Sequence, residues 1–256
     1  MHNSDFKNIN QICVEINNNN SYMIIGFGDS HQFKSVIILD KIIKNICNEI
    51  PINSFLLYFG DKVNIKSLDI GYVFNKISNL RKDLKIIMIQ INEFKQNELP
   101  NFVYKKYYHS DYSNKNKYGG LNSKNEPVSN TKKWVQLHTI LKKKYKNGIT
   151  KSFFLGGGGL SKNEIELCIK YKIPINYYYI SRKYKGDKKT LIKNNDSIDN
   201  KYGPTIQLIN KIHKSKINTI INYYPNINFN NILKTKNIKL KKHNLNTKTK
   251  KNKYIN

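Results

Sequence analysis

Residues 151–180 read KSFFLGGGGLSKNEIELCIKYKIPINYYYI. The first six residues form a short apolar, aromatic run that stops at a glycine, as a buried strand does. SKNEIELCIKYK carries apolar residues at helical spacing, and PINYYYI returns to β-forming residues. The stretch predicts strand (151–156), helix (161–172) and strand (174–180), joined through four consecutive glycines. A strand, a tight turn, a helix and a second strand in that order form the repeating unit of a parallel sheet covered by helices.

Working toward the N-terminus, the same alternation recurs. SYMIIGFG (21–28), SFLLYFG (54–60) and LKIIMIQI (84–91) read as strands, separated by helical runs at 32–50 and 67–81. FVYKKYYH (102–109) reads as a further strand, residues 113–131 as a long polar loop, and KKWVQLHTILKKKY (132–145) as a helix. Toward the C-terminus, GPTIQLINKIHK (203–214) predicts a helix with Pro in its first turn, and INTIINYY (217–224) a last strand or a helix continuation. The fold class that follows is α/β: a doubly wound, mostly parallel, Rossmann-like three-layer sheet over residues 21–225. Residues 1–20, with four asparagines in a row, are expected as a flexible leader. Residues 226–256, with nine lysines and no acid from Lys234 onward, are expected as a disordered basic tail.

Lys and Arg number 45 against 17 Asp and Glu, a formal net charge of +28. Such a surplus attracts polyanions, so unspecific contact with nucleic acid through the lysine-rich surface and tail is expected. The excess is nearly all Lys and is spread through every segment alongside abundant Asn and Ile, a pattern that A/T-rich codons produce without a polyanion partner. No nucleic-acid-binding signature of known spacing is present. Cys13, Cys47 and Cys168 are odd in number and far apart, which fits reduced thiols in an intracellular protein rather than a disulfide frame or a zinc site. No signal peptide and no apolar run of membrane-spanning length is read. The sequence assigns neither a metal site nor a cofactor.

In a parallel sheet, ligands lie beyond the carboxyl ends of the strands, where strand-to-helix turns present backbone N–H groups. Gly156, Gly157, Gly158 and Gly159 occupy such a turn, and Ser161 with Glu164 has the spacing of a capping box. The plain reading of these residues is a tight connection; the functional one is a cradle for a phosphate or ribose. Gly28, Asp29 and His31 after the first strand and Asp61 after the second fall on the same edge, and Arg182 with Lys183 follows PINYYYI as a candidate phosphate clamp. Trp134, the sole Trp, is read as a core residue.

GGGGLSKNEIELCIKYKIPINYY resembles the second glycine motif of the SLOG superfamily, which includes the LOG and lysine-decarboxylase-like phosphoribohydrolases with the pattern PGGxGTxxE. Gly157 and Gly158 match the paired glycines, Ser161 stands for the Thr and Glu164 for the Glu, while Gly156 replaces the Pro and Leu160 the later Gly. The resemblance implies a Rossmann-like domain that binds a nucleotide or ribose-phosphate ligand, with the helix N-terminus at a phosphate. Hydrolytic members use the Glu, here Glu164 as the catalytic candidate, with an Arg from elsewhere to cleave an N-glycosidic bond. Neither Arg81 nor Arg182 falls in a stretch matching that Arg motif, so sensing without turnover is the expectation.

Two alternatives come from other residues. Asp29 and His31 in GFGDSH, Asp61 in FGD, and Asn92 with Glu93 resemble the opening motifs of calcineurin-like metallophosphoesterases, although the central His of the third motif and a late Gly-His-x-His are missing. The charge and the lysine tail leave a basic nucleic-acid-binding or structural protein as the third class.

Overall fold

The computed structural model describes residues 5–25, 36–60, 70–92, 100–111, 119–157, 159–179, 208 and 221–225. The chain divides into two units, Met1–Tyr224 and Pro225–Asn256. In chain order the elements are α1 (Ile9–Ile16), β1 (Ser21–Ile25), α2 (Val36–Glu49), β2 (Phe55–Phe59), α3 (Ile70–Leu80), β3 (Lys85–Ile91) and β4 (Val103–His109). Then follow α4 (Ser129–Tyr145), β5 (Ile149–Leu155), α5 (Gly159–Lys170), β6 (Ile175–Tyr179) and β7 (Ile221–Pro225).

The sheet order is β4-β3-β2-β1-β5-β6-β7. The pairings from β4 through to β6 are all parallel. Central strands in such a sheet are covered on both faces and must be apolar throughout. Accordingly, β1 is buried at every position and β3 at all but its first. Met23, Ile25, Phe55, Leu57, Ile87, Ile89 and Phe154 point to one face, where they share a core with α1, α4 and α5 through Ile12, Trp134, Leu137, Ile165 and Cys168. On the other face Phe74 of α3 meets the Tyr58 ring edge-on at 4.7 Å. There, too, Glu49 of α2 accepts from Lys151 and from Asn176. The result is the doubly wound, three-layer α/β architecture.

The N-terminal stretch corrects the expectation of a flexible leader. Residues 9–16 form α1, with Ile9, Ile12, Cys13 and Ile16 buried and Asn8 capping its start by accepting from Gln11 N–H. The Phe6 N–H also donates to Lys106 O at 3.0 Å, covering part of the β4 edge. The three cysteines are buried and unpaired. Among the described residues no helix is long and apolar enough to cross a membrane.

Candidate functional site

The chain runs outward from β1 to β4 on one side of the sheet and then crosses back through α4 to place β5 on the other side of β1. Two connections leaving in opposite directions open a crevice at the carboxyl ends of β1 and β5, the switch point where ligands of such sheets lie. The glycine turn stands there. Gly156 N–H still donates to Tyr178 O of β6 at 2.9 Å. At Gly156 (φ +66°) and Gly157 (φ +116°) the backbone then enters a region that side chains disfavour.

Helix α5 begins at Gly159, and a Cβ added at this position would meet nothing within 4 Å. Packing does not demand this glycine. Its absent side chain leaves the first turn of α5 open, with free amides and the positive end of the helix dipole. Ser161 is buried in that turn, while Gly159 and Leu160 are exposed.

The capping box does not form, because the helix starts two residues before Ser161 and puts Glu164 inside it. Glu164 instead accepts from Thr131 Oγ at 3.2 Å, across to the first turn of α4. Although Glu164 as a residue is only partly buried, desolvation of its carboxyl raises the pKa to about 7, against smaller lowering effects of Thr131 and Trp134. The same Thr131 hydroxyl accepts from Gly120 N–H at 2.7 Å. Gly119 and Gly120 pack so closely that added Cβ atoms would lie 2.6 Å from Thr131 Oγ1 and 2.6 Å from Leu160 Cδ2, respectively. The loop 119–128 is thereby strapped onto the starts of both α4 and α5.

His109 ends β4 and, at 2.9 Å from Nε2, shares a hydrogen bond with Asn130 Oδ1 of α4. Lys133 reaches Asp111 at 2.5 Å. Asn130, Thr131, Lys133 and His109 are thus buried polar residues of the carboxyl edge; the sequence placed Asn130 and Thr131 in the loop 113–131, His109 at the end of a strand and Lys133 in the helix from 132, and marked none of them as a site residue. The available signal was SNTKKW, turn formers running directly into a helical repeat. Trp134 is fully buried, as expected of a core residue.

The structure brings together Gly156, Gly157, Gly159, Ser161 and Glu164. Gly28, Asp29, His31, Asp61, Gly158, Arg182 and Lys183 lie outside the described residues. Arg81 is at the opposite edge, donating to the carbonyls of Cys47, Ile50 and Pro51 and to the Asp83 carboxylate. Of the residues behind the metallophosphoesterase reading, Asn92 alone is described, and it is exposed. Among the described residues no group of three or more His, Cys, Asp or Glu could hold a metal.

No protein-family model matches the chain, and no curated protein is significantly similar to it. Among solved structures it is similar to the molybdenum cofactor carrier protein MCP from Chlamydomonas reinhardtii, with 10% identity and a TM-score of 0.42 over 81% of this chain and 90% of that one. A second structure of the Chlamydomonas Moco carrier protein matches with 10% identity and a TM-score of 0.43 over 81% of this chain and 90% of that one. Nothing about ligand or chemistry passes across a likeness of that size.

Proposed function

We propose that this domain binds a nucleotide or ribose-phosphate ligand at the carboxyl edge of β1 and β5, with a phosphate on the N-terminus of α5. The observation that carries the reading is the glycine turn at the switch point, positive in φ at Gly156 and Gly157 and open above Gly159. Backbone N–H groups from Gly157 onward and the Ser161 hydroxyl contact the phosphate. Glu164, whose carboxyl holds its proton to about pH 7, orients the ribose by donating or accepting as the ligand requires. In a member with turnover, the same group polarises an N-glycosidic bond. Arg182 and Lys183 are proposed to neutralise ligand charge, and Gly28, Asp29, His31 and Asp61 to contact the ligand, all six lying outside the described residues. With Arg81 spent on structure at the far edge, sensing without hydrolysis is the favoured form of the reading.

The test is thermal unfolding of the full chain against AMP, ADP-ribose, ribose 5-phosphate and divalent metals, at moderate salt to suppress unspecific lysine contacts. A ligand that binds only the native state raises the melting temperature. The reading expects a rise with a phosphorylated nucleoside or sugar that Gly159→Asp abolishes. A rise with manganese or zinc alone contradicts it.

A further inference from the structure

Lysines are not spread evenly over the helix ends. The last turns of α1, α2 and α3 contain no basic residue. The last turn of α4 carries Lys142, Lys143 and Lys144, and its C-cap is Lys146. Helix α5 ends in Lys170, with Lys172 two residues beyond. A codon bias adds lysine without regard to position in the fold, and compensation of the helix dipole would serve all five helices alike. The surplus instead sits on two helices that are neighbours in space.

The fold gathers these side chains at the amino edge of the sheet, opposite the glycine turn. The His138 ring of α4 meets the Tyr171 ring edge-on, with centroids 5.9 Å apart, which sets Lys170 and Lys172 beside the last turn of α4. Lys142 lies over the turn into β5, where a Cβ on Gly148 would be 2.9 Å from its Cε. Lys144 faces α1, near enough for its charge to act on the Cys13 thiol. All six lysines are exposed.

Other described surfaces are balanced. Lys76 has Asp40, Lys105 has Glu15, Lys106 has Asp5, Lys151 has Glu49, and Lys132 and Lys133 share Asp111. None of the six at the amino edge is in an ion pair among the described residues. Residues 138–148 and 167–176 contain no Asp or Glu. The two helix C-termini offset about half a charge each, so about five positive charges stay uncompensated.

A surface of this kind takes a polyanion. It has no exposed large apolar side chain to enter a bilayer; those of the described residues are Val14, Ile52, Leu80 and Leu160. Its aromatic rings, Tyr145 and Tyr171, are partly buried against the core, and Lys170 Nζ lies over the Tyr171 ring at 5.8 Å. Neither ring serves as a stacking platform for unpaired bases. We infer that the amino edge formed by the ends of α4 and α5 binds the phosphate backbone of double-stranded nucleic acid. The surface lies across the sheet from the glycine turn and does not rest on the nucleotide reading.

The experiment follows binding of the full chain to a short fluorescein-labelled DNA duplex by anisotropy, across a potassium chloride series. The slope of log affinity against log salt counts the phosphates engaged, at about 0.9 for each lysine. Lys143→Gln, Lys144→Gln and Lys170→Gln together should reduce that slope by about 3. A control with the same loss of charge, Lys7→Gln, Lys44→Gln and Lys124→Gln, removes exposed lysines from outside α4 and α5 and should leave the slope in place. Should the patch variant melt below the control, Lys146→Asn with Lys172→Asn takes its place. Both lysines have φ +56°, a state that Asn tolerates, and the slope should fall by about 2. Equal slopes in patch and control variants, or no fall in either patch variant, overturn the inference. So does tighter binding to a single strand, or a loss seen only with phosphatidylserine vesicles, which would assign the surface to a membrane.

Discussion

Replacing Gly159 with Asp separates folding from binding at the proposed site. The position is the first residue of α5, its φ is not in the left-handed region, and a Cβ there has open space on all sides. Glycine in a helix costs about 0.5–1 kcal/mol relative to alanine. An acid in the first turn gains about 0.3–1 kcal/mol from the helix dipole, and Asp is itself a weaker helix former than Ala. The net expectation is a chain more stable by about 0.5–1 kcal/mol, a rise in melting temperature of about 1–4 °C for a domain of this size. Binding moves the other way. A carboxylate about 4 Å from a bound phosphate repels it by about 4 kcal/mol at an effective dielectric of 20, before screening by salt. Even half of that weakens the nucleotide more than tenfold. Thermal melts with and without AMP, followed by calorimetric titration, read both effects, and Gly159→Ala should gain stability while keeping the ligand. Gly159→Asp that binds AMP like the unmodified chain, or that melts several degrees lower, refutes the reasoning.

Two predictions concern pH and act in opposite directions. Between the ordinary 4.5 and about 7 the folded chain keeps the Glu164 proton that the unfolded chain has released, so stability falls by about 3 kcal/mol as pH rises through this window. Glu164→Gln, which preserves the acceptor for Thr131, should therefore gain over the unmodified chain from pH 4.5 to 7 in urea melts; a constant difference across the series would contradict it. His138 accepts from Ile149 N–H through Nδ1 at 3.0 Å. Desolvation, then Lys142, holds its pKa down at about 4. The unfolded chain takes up this proton first, so stability falls by about 3 kcal/mol as pH drops from 6.5 to about 4. His138→Asn, whose Oδ1 can replace Nδ1, should flatten that acid limb, and an unchanged slope would exclude His138 as its source. Gly120→Ala should cost about 1–3 kcal/mol from its positive φ and the collision with Leu160. Adding Leu160→Ala should recover the collision alone, so full recovery or none in a double-mutant cycle would refute this partition.

The alternation of apolar and amphipathic runs was enough to read the layers, because strands buried on both faces become continuous apolar runs such as KIIMIQI. Helix α1 was legible too, in Ile9, Ile12, Cys13 and Ile16 after Asn8, but the polyasparagine that follows it dominates the local composition. The start of α4 was harder. Ser129, Asn130 and Thr131 are turn formers by local chemistry, and their burial comes from His109, Gly119 and Gly120, which only the fold brings near. Glu164 was picked out by its spacing from Ser161, yet it bonds to Thr131, 33 residues away in sequence. Spacing along a chain reports local caps and is silent on partners across the sheet edge.

The central claim, a phosphate-bearing ligand on the glycine turn, is tested most directly by selective ¹⁵N-glycine labelling, since the chain has 13 glycines. On titration with AMP, the amide signals of Gly157 and Gly159 should move in a saturable, salt-tolerant way. Gly148, beside His138 at the opposite edge, should stay in place. Motionless signals for Gly157 and Gly159 at saturating AMP, or equal shifts at Gly148, would contradict the account.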